Sequence, residues 1–194
     1  MLRDLLRRIT GQSDAVEQHV VRGIPVVVEN SRPDIATADV LARLDEALAL
    51  IATYQPWRFA HLRRDVRFVW ITRWPCRGAY FPDERKVMTE LTFLARRDIT
   101  AAPVASSILH EGVHARVHRM GEHLGASWAH RDLAREERLC RKAELAFGRS
   151  LPPALGAPVV ARALETLALD DADVAPSIDW GVAEQRMRLV DDSR

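Results

Sequence analysis

The spacing of hydrophobic positions changes several times along the chain, and each change marks an element. Residues 24–29 (IPVVVE) are a β-branched run bounded by Gly23 and by Asn30-Ser31-Arg32-Pro33, which predicts a strand. From 37 to 54 the apolar positions Val40, Leu41, Leu44, Leu48 and Ile51 recur at helical spacing, and Pro56 predicts the end of that helix. Residues 66–72 (VRFVWIT) alternate and are aromatic, which predicts a second strand with aromatics inward and arginines outward. Pro75, Gly78, Pro82 and Asp83 then mark turns. Residues 86–94 (KVMTELTFL) predict a third strand, or a hairpin partner of the preceding segment.

A long helix is predicted over 102–120, with Pro103 in its first turn and Gly121 just past its end. A loop containing Gly121, Gly125 and Trp128 leads to a helix over 131–147, stopped by Gly148 and Pro152-Pro153. A last helix, 158–169, precedes an acidic C-terminal tail over 170–194. Its acids are Asp170, Asp171, Asp173, Asp179, Glu184, Asp191 and Asp192. The tail is expected to be solvated and packed through Ile178, Trp180, Met187 and Leu189. At the other end, Leu2, Leu5, Leu6 and Ile9 beside Arg3, Arg7 and Arg8 predict a short amphipathic helix that caps the fold. No repeat, low-complexity segment or linker divides the chain, so a single domain over 1–194 is expected.

Composition narrows the class. The chain has 194 residues, 47% hydrophobic and 28% charged, enough for one domain with a substantial core. A net charge of +1 gives no general attraction to nucleic acid or to an anionic membrane. Cys76 and Cys140 form no disulfide framework and no CxxC pair, so both are expected as reduced thiols in a cytoplasmic protein. The segment MLRDLLRRITGQ has no apolar signal region, and no run of about 18 apolar residues occurs to span a membrane. Arg58, Arg63, Arg64, Arg67, Arg73 and Arg77 interleave with Trp57, Phe68, Trp70 and Trp74. That interleaving can bind single-stranded nucleic acid. Strand packing explains it more simply, and no nucleic-acid partner is expected.

The chemistry concentrates in residues 106–118 (SSILHEGVHARVH). His110-Glu111-Gly112-Val113-His114 is an HExxH motif inside a helical stretch. Positions i and i+4 lie one above the other on a helix, so two imidazoles there can converge on one Zn²⁺. Glu111 follows His110 by about 100° of rotation and sits beside the metal, placed as general base toward a zinc-bound water. Gly112 and Ala115 are small, so the back of this helix can approach other backbone.

A catalytic zinc wants a third protein ligand. A histidine six positions after His114, with a glycine midway, would be one solution, but those positions are Met120 and Val117. His118 has rotated away from His110 and is expected as a solvent-facing or partner histidine. His123 and His130 in the loop stay open as ligands. The next helix offers more. With Leu133 at 0°, Leu133, Glu137, Cys140, Glu144 and Phe147 form one stripe, with Glu136 at its edge and Arg131, Arg135, Arg138, Lys142 and Arg149 opposite. Buried carboxylates are costly unless paired or bound to metal. Glu137 is therefore the first candidate for third ligand. Glu144 would hydrogen-bond a ligand histidine or an arginine such as Arg116. Glu144, Cys140 and Glu136 remain alternative ligands.

HExxH on one helix with a glutamate on the next resembles the gluzincin branch of zinc metallopeptidases. HEGVHARVH followed by EERLCRKAELAFGRSLP is similar to small bacterial metallopeptidase-like proteins of unassigned substrate. The resemblance covers 65–150, which it marks as the catalytic core. It implies an α+β minimal zincin fold, a small mostly antiparallel sheet packed on the HExxH helix and the glutamate helix. It also implies zinc as cofactor, a peptide or protein substrate, a water attacking a carbonyl, and an edge strand that holds an extended substrate, for which 86–94 is the candidate. The chain departs from that pattern at Arg141, four residues after Glu137, where an acid often supports a ligand histidine. Tyr80, His130 and Arg116 are candidates for stabilising the transition state. The rival expectation is a catalytically silent metal-binding or regulatory module.

Overall fold

A hairpin opens the described chain. The computed structural model describes residues 16–124, 132–175 and 179–192. The expected N-terminal amphipathic helix, and Gly125, Trp128, His130 and Ile178, lie outside the described residues. β1 (Val16–Val21) pairs antiparallel with β2 (Ile24–Glu29). Arg22 and Gly23 join them at φ 50° and 78°. Two successive positive φ values suit a two-residue primed turn, and glycine takes the second without Cβ strain. The sequence reading did not anticipate β1, a short and largely exposed edge strand.

α1 (Thr37–Tyr54) buries Val40, Leu44, Ala47, Leu48 and Ile51 along one face. Pro56 ends it and opens α2 (Pro56–Asp65), because proline is tolerated in a first helical turn. β3 (Phe68–Thr72), β4 (Gly78–Phe81) and β5 (Lys86–Glu90) follow. The strand order is β1-β2-β3-β5-β4. β2–β3 and β3–β5 are parallel, while β1–β2 and β4–β5 are antiparallel. The expected mostly antiparallel sheet is therefore corrected to a mixed one. The α1–α2 segment is long enough to cross over and return β3 parallel to β2, and β4 takes the reverse direction before β5.

Segment 86–94 is corrected in two respects. Its strand stops at Glu90, whose carboxylate accepts from Thr92 N at 3.0 Å and Phe93 N at 2.7 Å and so starts the short helix α3 (Leu91–Leu94). Moreover, β5 is interior, and β4 occupies the edge. The aromatics are also corrected. Val26, Val28, Val69, Ile71 and Val87 join the helices in the main core. Trp70 lies on the other face with Trp74 and Phe81, ring centroids 5.6 and 6.0 Å away. The Lys86 ammonium sits 4.1 Å from the Trp70 ring.

α4 (Ala101–His123) is the central helix, touching α1, α2, β4, β5 and the two helices that follow. Those are α5 (Leu133–Ser150), capped by Asp132, and α6 (Pro153–Leu167). A Cβ added at Gly112 would meet Leu62 Cδ1 at 2.8 Å, so the small residue does admit α2 closely. α7 (Asp171–Val174) and α8 (Trp180–Asp192) make the acidic tail helical. Asp191 ties α8 down, 2.8 Å from Arg73 and 3.1 Å from Arg32. Trp180 lies 6.5 Å from Trp74. Leu189, expected to pack, is 64% exposed. Among the described residues no helix is long and apolar enough to cross a membrane.

Candidate metal centre

α4 and α5 pack against each other, and the polar group between them begins with α5. Its buried residues are Glu136, Cys140, Ala143, Glu144, Phe147 and Gly148. Leu133 is 49% exposed, so the buried face is rotated toward Glu136 from the stripe that Leu133 predicts. Glu136 and Glu137 then flank Cys140 from opposite sides, with the Glu137 side chain 22% exposed.

The His110 and His114 rings stand edge to face with each other, centroids 4.9 Å apart. Their Nε2 atoms lie 3.1 Å apart. Glu137 reaches both, one oxygen 3.2 Å from His110 Nε2 and the other 3.1 Å from His114 Nε2. The opposite ring nitrogens are held by different acids. His110 Nδ1 donates to Glu144 at 2.6 Å, and His114 Nδ1 donates to Glu136 at 2.5 Å. Arg141 Nη1 donates to the same Glu144 oxygen at 2.8 Å. Arg141 stands where an acid often supports a ligand histidine, and Glu144, expected to bond a ligand histidine, does so at His110. Here the acids one residue before and seven residues after Glu137 provide that support.

His110, His114 and Cys140 are all buried, with ligand atoms within 4.8 Å of one another, and this group could hold a metal ion. Electrostatics favour a cation there. Burial alone would lower the His110 pKa, but Glu137 and Glu144 outweigh it and raise it to about 10. Burial opposes a charged His114 as well, and Cys140, Glu136 and Glu137 raise its pKa. Burial would raise the Glu137 pKa, yet the two imidazoles hold it well below the usual carboxylate range. Two imidazolium N–H groups cannot point at each other across 3.1 Å, whereas a metal ion between the rings takes both lone pairs. The donor set thus fits a metal ion.

Glu111 is 7% exposed and faces the segment that enters β4. Burial raises its pKa, against the pull of His110 and His114. A Cβ at Gly78 would stand 3.0 Å from Glu111 Oε1 and 2.8 Å from Ser107 Oγ, so the missing side chain gives Glu111 its room. Sequence reading took Gly78 only as a turn marker. Cys76 donates its thiol to Gly78 O at 3.2 Å, and burial with the Glu111 charge pushes its pKa up to about 11.

Other candidates lie elsewhere. His118 is paired with Tyr80, whose hydroxyl is 2.9 Å from Nδ1, and burial pushes the phenol up to about 12. Arg116 sits 3.6 Å from Asp65, not on Glu144. His123 is exposed near the end of α4. Fold and site together define an α+β protein with a buried group able to hold a metal ion. No protein-family model, curated protein or solved structure matches the chain.

Proposed function

We propose that this chain is a zinc-dependent hydrolase of peptide bonds, with His110, His114 and Glu137 as metal ligands and Glu111 as general base. One observation carries the reading. Two imidazole Nε2 atoms and the Glu137 carboxylate face one another at 3.1–3.2 Å. Donor atoms around a tetrahedral ion with bonds of about 2.0–2.2 Å lie about 3.3–3.6 Å apart, so a slight spreading admits zinc. This geometry supports the gluzincin reading, in which two histidines and a glutamate would hold the ion. A zinc ion held there would polarise a substrate carbonyl and lower the pKa of a water in its open position.

The protein's own groups do the rest. Glu144 and Glu136 fix the protons on His110 Nδ1 and His114 Nδ1, which turns both Nε2 lone pairs to the centre. Glu111 accepts the water proton on its carboxylate and delivers it to the leaving amine. Its burial stabilises the protonated carboxyl between those two events. β4 is the sheet edge that reaches Glu111 at Gly78, so an extended peptide would lie along β4.

Cys140 supports a second reading. Its sulfur is fully buried in the same group, and a site closed by a fourth ligand would hold metal without an open position. That site would be a catalytically silent metal-binding module. Glu111→Gln separates the readings. We expect the variant to keep its zinc and its fold while peptide turnover falls by about 10²–10⁴-fold. Loss of the metal would make Glu111 a ligand, and undiminished turnover would remove it as base. Wild-type protein that binds zinc but cleaves no member of a peptide library would favour the silent module.

A further inference from the structure

A cleft of about 410 Å³ opens beside His110 and Glu111, and three arginines converge on it from three elements. Arg77 comes from the segment entering β4, Arg141 from α5 and Arg162 from α6. Arg162 stands one turn beyond Pro158 on the same face of α6, so the helix aims it at the cleft.

These cations differ in how far the protein neutralises them. Arg141 is tied to Glu144 at 2.8 Å and lies 3.9 Å from Glu137, and its Nε is buried. Arg77 lies with its guanidinium 5.2 Å from the Phe93 ring. Among the described residues, neither Arg77 nor Arg162 forms an ion pair. Arg162 is an exposed residue, and what desolvation it has, with the charges of Arg77 and Arg141, lowers its pKa against the pull of Glu144 and Glu165. Glu144 is already shared between His110 and Arg141. Arg77 and Arg162 are exposed residues on the lining of the cleft, so their guanidinium groups are accessible to a ligand there. A carboxylate matches the planar guanidinium fork and relieves the repulsion.

We propose that this cleft is an anion pocket in which Arg162 and Arg77 bind a carboxylate of the substrate next to the reacting bond. The substrate class is thus a peptide that presents a carboxylate beside the cleaved bond. The proposal rests on the hydrolase reading of the neighbouring centre. Two sources share the chemistry, the free C-terminal carboxylate of a peptide and an Asp or Glu side chain.

The test is calorimetric binding to chelator-treated protein, which separates recognition from turnover. Three probes suffice: acetyl-trialanine with a free carboxylate, the same peptide as its amide, and acetyl-Ala-Glu-Ala amide. At least one carboxylate probe should bind about tenfold or more tighter than the neutral amide, a difference of about 1.4 kcal/mol. Preference for the first probe identifies a terminal carboxylate, and preference for the third an acidic side chain. Arg162→Met should abolish the preference, and Arg162→Lys should restore part of it. Equal binding of all three probes, or no binding of any at millimolar concentration, overturns the pocket, as does a preference that survives Arg162→Met together with Arg77→Met. Carboxylate preference without turnover of any probe by the zinc-loaded protein sinks the hydrolase reading and leaves the pocket standing. Turnover without preference does the reverse.

Discussion

Each imidazole of the histidine pair is gripped at both nitrogens, and that double grip sets the chemistry of the site. Carboxylates on Nδ1 fix tautomer and ring orientation and raise the basicity of Nε2. Glu136→Gln keeps the shape of the side chain but removes the negative charge facing His114 Nδ1. We expect zinc affinity to fall about 10–100-fold, as for other residues that orient metal-ligating histidines. Competition with a chromophoric chelator measures it, and unchanged affinity would place Glu136 outside the support of His114. The paired histidines were legible from i, i+4 spacing alone. Glu144 as a hydrogen-bond partner of a ligand histidine was legible too, but the role of Glu136 was not, because Leu133, which is 49% exposed, misplaces the phase of α5. Anchoring on Cys140, Ala143 and Phe147, all nearly fully buried, puts Glu136 and Glu144 inside the face and Glu137 at its rim.

At the scale of elements, the site depends on how closely α5 and α6 approach. A Cβ at Gly156 would stand 2.1 Å from Gly148 O, a backbone atom that cannot swing aside. Gly156→Ala must therefore push the two helices apart, at a cost of about 1–3 kcal/mol. For a chain of this size each kcal/mol lowers Tm by about 2–4 °C, so calorimetry should show a clear drop. An unchanged Tm would mean that the helix pair is looser than the glycine contact requires. Periodicity revealed α1, α4, α5 and the strands β2 and β3, whose apolar positions repeat cleanly. It missed α2, where the arginine-rich PWRFAHLRRD shows little pattern, and β4, where Gly78 and Pro82 read as punctuation. Parallel pairing was also hidden, since a β-branched run such as IPVVVE does not state its neighbour's direction.

Across the whole molecule, a mixed sheet supports a buried central helix, and that helix carries HExxH between β4 and α5. The arrangement gives the centre two kinds of surroundings. On the α5 side, glutamates surround the imidazoles and favour a cation. On the cleft side, arginines from three elements stand with Glu111 and Glu144. In the proposed reading the glutamate wall holds the metal and the arginines receive a substrate carboxylate. The account stands or falls on which atoms hold the metal. Zinc K-edge X-ray absorption of the zinc-loaded full chain reads that set directly. The account predicts one bound zinc per chain with a shell of nitrogen and oxygen only, at about 2.0–2.2 Å, from two imidazoles, one carboxylate and water. A sulfur scatterer at about 2.3 Å would bring Cys140 into the shell and contradict the open site, and a chain that retains no zinc would contradict the metal centre itself.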